Sequence, residues 1–332
     1  MYDNAAENNK GAKGNRTKIV IDLLKISISL TLIILLLSNI GLASIRRQIA
    51  DADWRYVLLA CMTFIISNIM GALQWHLLMK SQNMAIPFKY SLSFYHIGLF
   101  FNNFLIGYIG GDALRIYDVR RYSGDGAAAV TTVLFDRFIG FLTLTTTAMI
   151  VSLLWIGNLK SLNAVYSIAI ILFIWLVALF FLFNNKAGFW LGRLFRPLLP
   201  GRIVAKVEEI YCSINNLRHS RMMLVQVIFI SIFVQLLRIV THYWTAISIG
   251  AKTHVLYFFI FVPIIALLAS LPISFGGVGV REQSGVALFT TVGLGASQIA
   301  TFEFLAYLVG IFATLPGGIL FILRKEGKGA AS

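Results

Sequence analysis

Charge is scarce in this 332-residue chain, and acidic charge scarcer still: charged residues make up 13%, with 14 Asp and Glu against 28 Lys and Arg. An average soluble domain carries about 25% charge. So little charge beside 58% hydrophobic residues and a mean hydropathy of +0.81 excludes a single water-soluble core. Cysteine is almost lacking. Cys61 lies in an apolar run and Cys212 in a basic polar segment, so no disulfide is expected and the redox compartment is not readable from the thiols. A nucleotide-binding loop is lacking too: the Gly-x-Gly of "GGVGVRE" at 276–282 is expected to have none of the strand, helix and acidic residue of a dinucleotide fingerprint. The first apolar run, "ISISLTLIILLLSNIGLA", closes without a small-residue cleavage pattern. It reads as an anchor and not a signal peptide.

What the chain has instead is apolar runs of bilayer-spanning length, at about 21–43, 57–78, 91–109, 127–156, 161–183, 222–249, 255–274 and 297–323, with a short one at 284–293. These predict an all-α polytopic membrane protein. The net charge of +14 then marks cytoplasmic loops facing anionic lipid and not a nucleic-acid partner. If every long run crossed from a cytoplasmic N-terminus, the loop at 184–221 would be outside with Lys186, Arg193, Arg196, Arg202, Lys206, Arg218 and Arg221, against the positive-inside rule. The conflict disappears if 91–123 is a re-entrant hairpin from the cytoplasm with its tip at Gly110-Gly111, and 255–293 another from outside with its tip at Gly276-Gly277. Six full spans remain, and both termini are cytoplasmic: a polar segment at 1–20 and a basic tail at 324–332, flanking one transmembrane domain at 21–323.

The domain divides into two halves, about 21–156 and 161–323, each span-span-hairpin-span and inverted with respect to the other. Gly-Gly-x-x-x-Arg occurs once in each, at Gly110–Arg115 and Gly276–Arg281, and an acid follows 21 or 22 residues on, Asp136 or Glu303. Inverted repeats with broken helices near the midplane are a recurring plan of transporters, because an unwound tip offers backbone groups and helix ends to a substrate. A glycine pair also serves merely to let helices pack closely.

Eight ionisable residues fall in or at the edge of the membrane segments: Asp112, Arg115, Asp136, Arg137, Arg238, Arg281, Glu282 and Glu303. At roughly 2.5–3.5 kcal/mol each, facing lipid would cost on the order of 20 kcal/mol, so they must face one another or a wet cavity. A polar substrate cavity is the expectation, with Arg115 and Arg281 facing a shared groove; neutral ion pairs gluing helices together are the alternative. Asn102 and Asn103, in "GLFFNNFLIG", join the candidate substrate residues, or else satisfy the broken helix's own carbonyls. His96 and His242 read as buried hydrogen-bonding groups, since no metal-ligand spacing surrounds them; no metal, cofactor or catalytic residue is expected. Trp75, Trp155, Trp190 and Trp244 fall toward segment ends, where indole rings favour the headgroup level. At 201–221, Ile203, Val207, Ile210, Ile214 and Leu217 form one apolar stripe, read as a helix lying on the cytoplasmic leaflet or docking a partner.

"NNFLIGYIGGDALRIYDVRR" at 102–121, "DRFIG" at 136–140, "LLRIVTHYWTAISIG" at 236–250 and "LPISFGGVGVRE" at 271–282 together resemble the lysylphosphatidylglycerol synthase transmembrane family, or flippase-like domain proteins, across nearly the whole chain. By motif, Asp112 and Arg115 match its Gly-Gly-Asp-x-x-Arg element, Asp136 and Arg137 its Asp-Arg element, and Arg281 and Glu282 its Arg-Glu element. The proline that family members often carry before the first glycine pair is replaced here by Ile106-Gly107-Tyr108-Ile109. The aminoacyl-transfer domain of full-length synthases is not expected, as the chain ends about ten residues after its last span. The resemblance implies lipid translocation in a prokaryotic inner membrane, of an anionic headgroup such as an aminoacyl-phospholipid or a polyprenyl-phosphate-linked glycan. It implies lipid partners, leaves room for a partner enzyme of lipid or glycolipid synthesis, and leaves oligomerisation open. The other classes are a membrane-embedded glycosyl or phosphoryl transferase, disfavoured by the lack of a metal-ligand cluster and of an extramembrane domain, and a non-transporting scaffold.

Overall fold

The computed structural model describes residues 47–105, 109–158, 163–184, 204, 209–211, 221–274 and 276–323. The expected span at 21–43, most of the 201–221 stripe and the basic tail lie outside the described residues. Among the described residues all regular structure is helical. Four helices are long and apolar enough to cross a membrane: α1 (Trp54–Ser81), α4 (Gly126–Leu154), α6 (Arg221–Ser248) and α9 (Ala296–Ile322). At 27 to 29 residues each they extend about 40 Å, beyond the roughly 30 Å hydrocarbon core. Local chemistry sets where they start. The Asp53 carboxylate accepts the Arg55 N–H at 3.0 Å before α1, and the Asp125 carboxylate accepts the Ala128 N–H at 2.9 Å before α4. A fifth apolar helix, α5 (Asn163–Phe183), follows α4.

The remaining helices form two antiparallel pairs too short to cross. α2 (Phe88–Asn102) and α3 (Ile109–Ser123) have 15 residues each, α7 (Val255–Ser270) has 16 and α8 (Val280–Phe289) has 10. These lengths correspond to about 15–24 Å. Tyr90 meets Tyr122 at the open end of the first pair, and Ala269 lies beside Gly277 at the closed end of the second. The expected hairpins are therefore present as helix–break–helix units.

Their breaks differ from one another. In the second hairpin Gly276, Gly277 and Gly279 all have positive φ, +58°, +76° and +83°, so the glycine pair sits in the break itself. In the first, the helix ends at Asn102 and Gly110-Gly111 lies in the first turn of α3, beyond the break and not at its tip as the sequence implied. The reason is packing. A Cβ on Gly111 would collide with the Gly98 carbonyl and with Asn102, and one on Gly98 would come within 2.6 Å of the Arg115 side chain. This pair lets α2 and α3 touch backbone to backbone, the alternative use of glycine in membrane helices.

Packing relates the two halves by exchange. α1 lies along α6, α2 packs on α9 while α7 packs on α4, α1 meets α9 while α6 meets α4, and within each half α3 meets α4 as α8 meets α9. The equivalent helices α1 and α6 run antiparallel: the Asp53 N–H donates to the Ser248 carbonyl at 2.8 Å, Tyr56 stacks on Trp244, and the Thr63 and Thr241 hydroxyls are 3.1 Å apart. An exchange of halves that reverses helix direction is an inverted repeat. Each hairpin leans on the last helix of the other half, where Gly317 and Gly318 of α9 lie against the His96 carbonyl and the Phe100 ring of α2. One rim of the bundle is gathered by the Asp53–Ser248 bond, by Gln48 donating to Ser297 at 2.8 Å, and by Trp155 stacked on His254.

Candidate functional site

The break of the first hairpin meets that of the second. The Gly276 N–H donates to the Leu105 carbonyl at 3.2 Å, the Tyr307 hydroxyl donates to the Asn103 carbonyl at 3.0 Å, and the Asn103 amide donates to the Thr314 hydroxyl at 2.8 Å. Gly276 has no room for a Cβ against the Asn103 carbonyl. Both asparagines also serve the broken helix: Asn103 donates to the Leu99 carbonyl at 3.2 Å, and the Asn102 side-chain oxygen accepts the Gly111 N–H at 2.9 Å. Without them these backbone groups would be bare in a dry environment.

On the first-half side, the i, i+3 spacing of Asp112 and Arg115 places both on the face of α3 that meets α4. Arg115 donates to Asp136 at 2.8 Å and to Asp112 at 3.3 Å, while Arg137 grips Asp112 through Nε and Nη2, both at 2.8 Å. Gln74 of α1 donates to the other Asp136 oxygen at 2.9 Å. The Arg115 guanidinium lies 4.1 Å from the Trp75 ring centre and 4.7 Å from that of Tyr95. A cation beside aromatic rings gains electrostatic attraction without water. Two acids and two arginines thus neutralise one another in a network that ties α3, α4 and α1 together.

The second half builds its counterpart from different chemistry. Glu282 accepts the Gly279 N–H at 2.7 Å, capping α8 at the glycine break. Arg281 projects over the Tyr307 ring, 5.5 Å from its centre. Glu303, fully buried on α9, is met by His242 of α6, with Nδ1 3.2 Å from its carboxylate. Gln74 and His242 thus play matching parts, each reaching from the second span of its half to an acid on the fourth element.

Between these clusters and the two breaks lies a cavity of about 160 Å3. Asn102, Asn103, Asp136, Arg137, Arg238 and Arg281 line it. Asp112, Arg115, Glu282 and Glu303 do not; they stand in the wall behind. Arg115, only 1% exposed, is held by its carboxylates and rings, so it does not face the groove as the repeat suggested. Arg137 and Arg238 join Arg281 at the surface of the cavity instead. Arg238 has a single hydrogen bond among the described residues, to the Tyr95 hydroxyl at 3.4 Å, and its buried Nε has no partner there. The lining also includes Gln74, Tyr95, Gln235, His242 and Tyr307, of which sequence reasoning singled out only His242, and that for a structural role. The available signal was a polar residue inside an apolar run, as in "GALQWHLL" and "FVQLLR". Trp75 corrects a further expectation: it is fully buried beneath Arg115 and not at the headgroup level.

A family model described as the lysylphosphatidylglycerol synthase TM region matches residues 23–318. The chain belongs to that family. It is also similar to the UPF0104 membrane protein PH1989 of Pyrococcus horikoshii, 23% identical over 325 residues that cover 91% of this chain and 97% of the relative.

Proposed function

We propose that this member of the lysylphosphatidylglycerol synthase TM-region family is a lipid transporter that carries an anionic headgroup through the central cavity while the acyl or prenyl tails stay in the bilayer. The observation that carries this reading is the charge of the cavity wall: Asp136 and Arg137 belong to the neutral first-half network, and beyond it Arg238 and Arg281 line the cavity with no further carboxylate among the described lining residues. Guanidinium groups suit phosphate, whose oxygens accept paired N–H donors. The cavity volume is below the 300–1,000 Å3 usual for drug-sized ligands, a size that fits part of a headgroup and not a whole lipid. An aminoacyl-phospholipid and a polyprenyl-phosphate-linked glycan share this phosphate chemistry. In the same reading the protein sits in a prokaryotic inner membrane with both termini cytoplasmic, and its partners are lipids and an enzyme that makes or uses them.

The experiment is reconstitution into phosphatidylcholine liposomes carrying fluorescent phosphatidylglycerol or fluorescent phosphatidylcholine in the inner leaflet. Protein-dependent movement of the anionic probe, reduced by Arg238→Gln and with the lipid recovered chemically unchanged, supports transport. A changed lipid would support the transferase reading. Equal movement of both probes, unaffected by the variant, would discard the headgroup site.

A further inference from the structure

The four membrane-embedded acids are held in different ways. Asp112 and Asp136 are bonded to arginines, which stay charged at any physiological pH. Glu282 accepts a backbone N–H, with Arg281 within electrostatic reach. Glu303 alone of the four has an imidazole, that of His242, as its hydrogen-bonded partner, a group that can be neutral or cationic. Glu303 is fully buried, whereas His242 is 18% exposed and lines the cavity.

We infer that His242 and Glu303 form a proton-binding site whose occupancy is linked to that of the anion site in the central cavity. Without the proton the pair carries one negative charge; with it the pair is neutral, as imidazolium and carboxylate. Every charged or titratable group around it bears on that balance. From α8, Glu282 adds negative and Arg281 positive potential. Arg238 lies one turn before His242 on α6, and Tyr307 one turn after Glu303 on α9; both line the cavity. From α1, Cys61 packs in the apolar cluster that contains Leu305 and Trp244, and α2 presents Tyr95 to the cavity. Across the cavity, Asp136 and Arg137 of α4 belong to the neutral first-half network.

A proton gained at the pair therefore makes the cavity wall one charge more positive at the moment an anion is to be held. Linkage is reciprocal: if the proton strengthens anion binding, the anion strengthens proton binding by the same factor. The consequence for transport is that proton and headgroup enter together, so a proton gradient drives the lipid. The consequence rests on the anionic-headgroup reading above, whereas the proton site itself does not.

The test uses the full chain in detergent with short-chain phosphatidylglycerol as probe. Calorimetry in buffers of different ionisation heat counts the protons taken up per lipid bound. The wild type takes up a proton fraction that rises toward one near the middle of its titration, and its affinity changes with pH by at most about tenfold per unit, as one linked proton allows. His242→Gln and Glu303→Gln each bind the probe with less proton uptake and a shallower pH profile than the wild type. Uptake unchanged in both variants overturns the inference. If the probe binds at no pH, the headgroup reading fails, and the proton site is read directly by potentiometric titration. On acidification the wild type then takes up one proton more than His242→Gln; equal counts overturn it.

Discussion

The backbone N–H of Gly276 donates to the carbonyl of Leu105 at 3.2 Å, so the broken segments of the two halves, 171 residues apart in sequence, touch at the centre of the protein. Two hairpins entering from opposite sides can meet this way only if neither crosses, which is what their length enforces. A glycine is needed at this contact for two reasons, its φ of +58° and the Asn103 carbonyl against its α-carbon. Gly250 has a comparable φ of +74° but open space around it. Gly276→Ala is therefore expected to lower the melting temperature in detergent clearly more than Gly250→Ala. The latter pays only the backbone strain of roughly 1–2 kcal/mol. Equal losses would mean that the tips do not depend on their contact.

Arg115 and Arg238 separate assembly from binding. Removing Arg115 leaves Asp136 buried without its cation and costs about 3–5 kcal/mol, as in other broken buried pairs. Arg115→Ala should therefore be recovered poorly or melt early. Arg238→Gln breaks no ion pair among the described residues, so it should melt like the wild type and lose binding of an anionic headgroup by about tenfold or more, as for a charge-assisted hydrogen bond of 1.5–3 kcal/mol. Size-exclusion profiles and lipid binding on the same preparations check both. A stable, fully active Arg115→Ala would show that the network is dispensable.

The rim gathered by Asp53, Ser248, Trp155 and His254 makes a prediction about sidedness. In a chain lacking Cys61 and Cys212, single cysteines at Asn158 and Lys252 should react with an impermeant reagent added from outside the cell, and those at Gln82, Phe195 and Lys328 should not. Labelling of position 195 from outside would contradict the hairpin topology.

How much of this was legible in the sequence follows from what kind of signal each feature leaves. The long apolar runs mark α1, α4, α6 and α9 directly, and the basic loop at 184–221 forces two of the remaining runs to turn back. The matched spacing from Arg115 to Asp136 corresponds to a real ion pair. The nearly equal spacing from Arg281 to Glu303 does not place those two in a hydrogen-bonded pair of their own; His242 meets the carboxylate instead. A repeated motif fixes the backbone position of a residue and not the partner brought to it by another helix. Nor does a glycine pair distinguish a break from a close contact: "GG" at 276 is the former and "GG" at 110 the latter. Gln74 and Trp75 were hidden because, in one sequence, a polar or aromatic residue within an apolar helix does not say which way it faces.

The touching tips bear on mechanism as well as on assembly. If the halves rock about the cavity, as inverted repeats do in transporters, the contacts from Gly276 to Leu105 and from Tyr307 to Asn103 cannot persist unchanged in both extremes. Each hairpin is carried on the last helix of the opposite half, so motion of one half moves both tips in opposite senses relative to the cavity. Ile109, at the start of α3, and Ile273, in the second break, are 61% and 43% exposed and suit thiol labelling. A ligand shifts an equilibrium by its differential affinity for the two states. Single cysteines at these positions should therefore change reactivity in opposite directions when phosphatidylglycerol is added to the reconstituted protein. A scaffold predicts no response at either, and a site with one fixed mouth predicts protection at one alone. Unchanged labelling of both, in a preparation that binds the lipid, would leave the inverted repeat as architecture without alternating access.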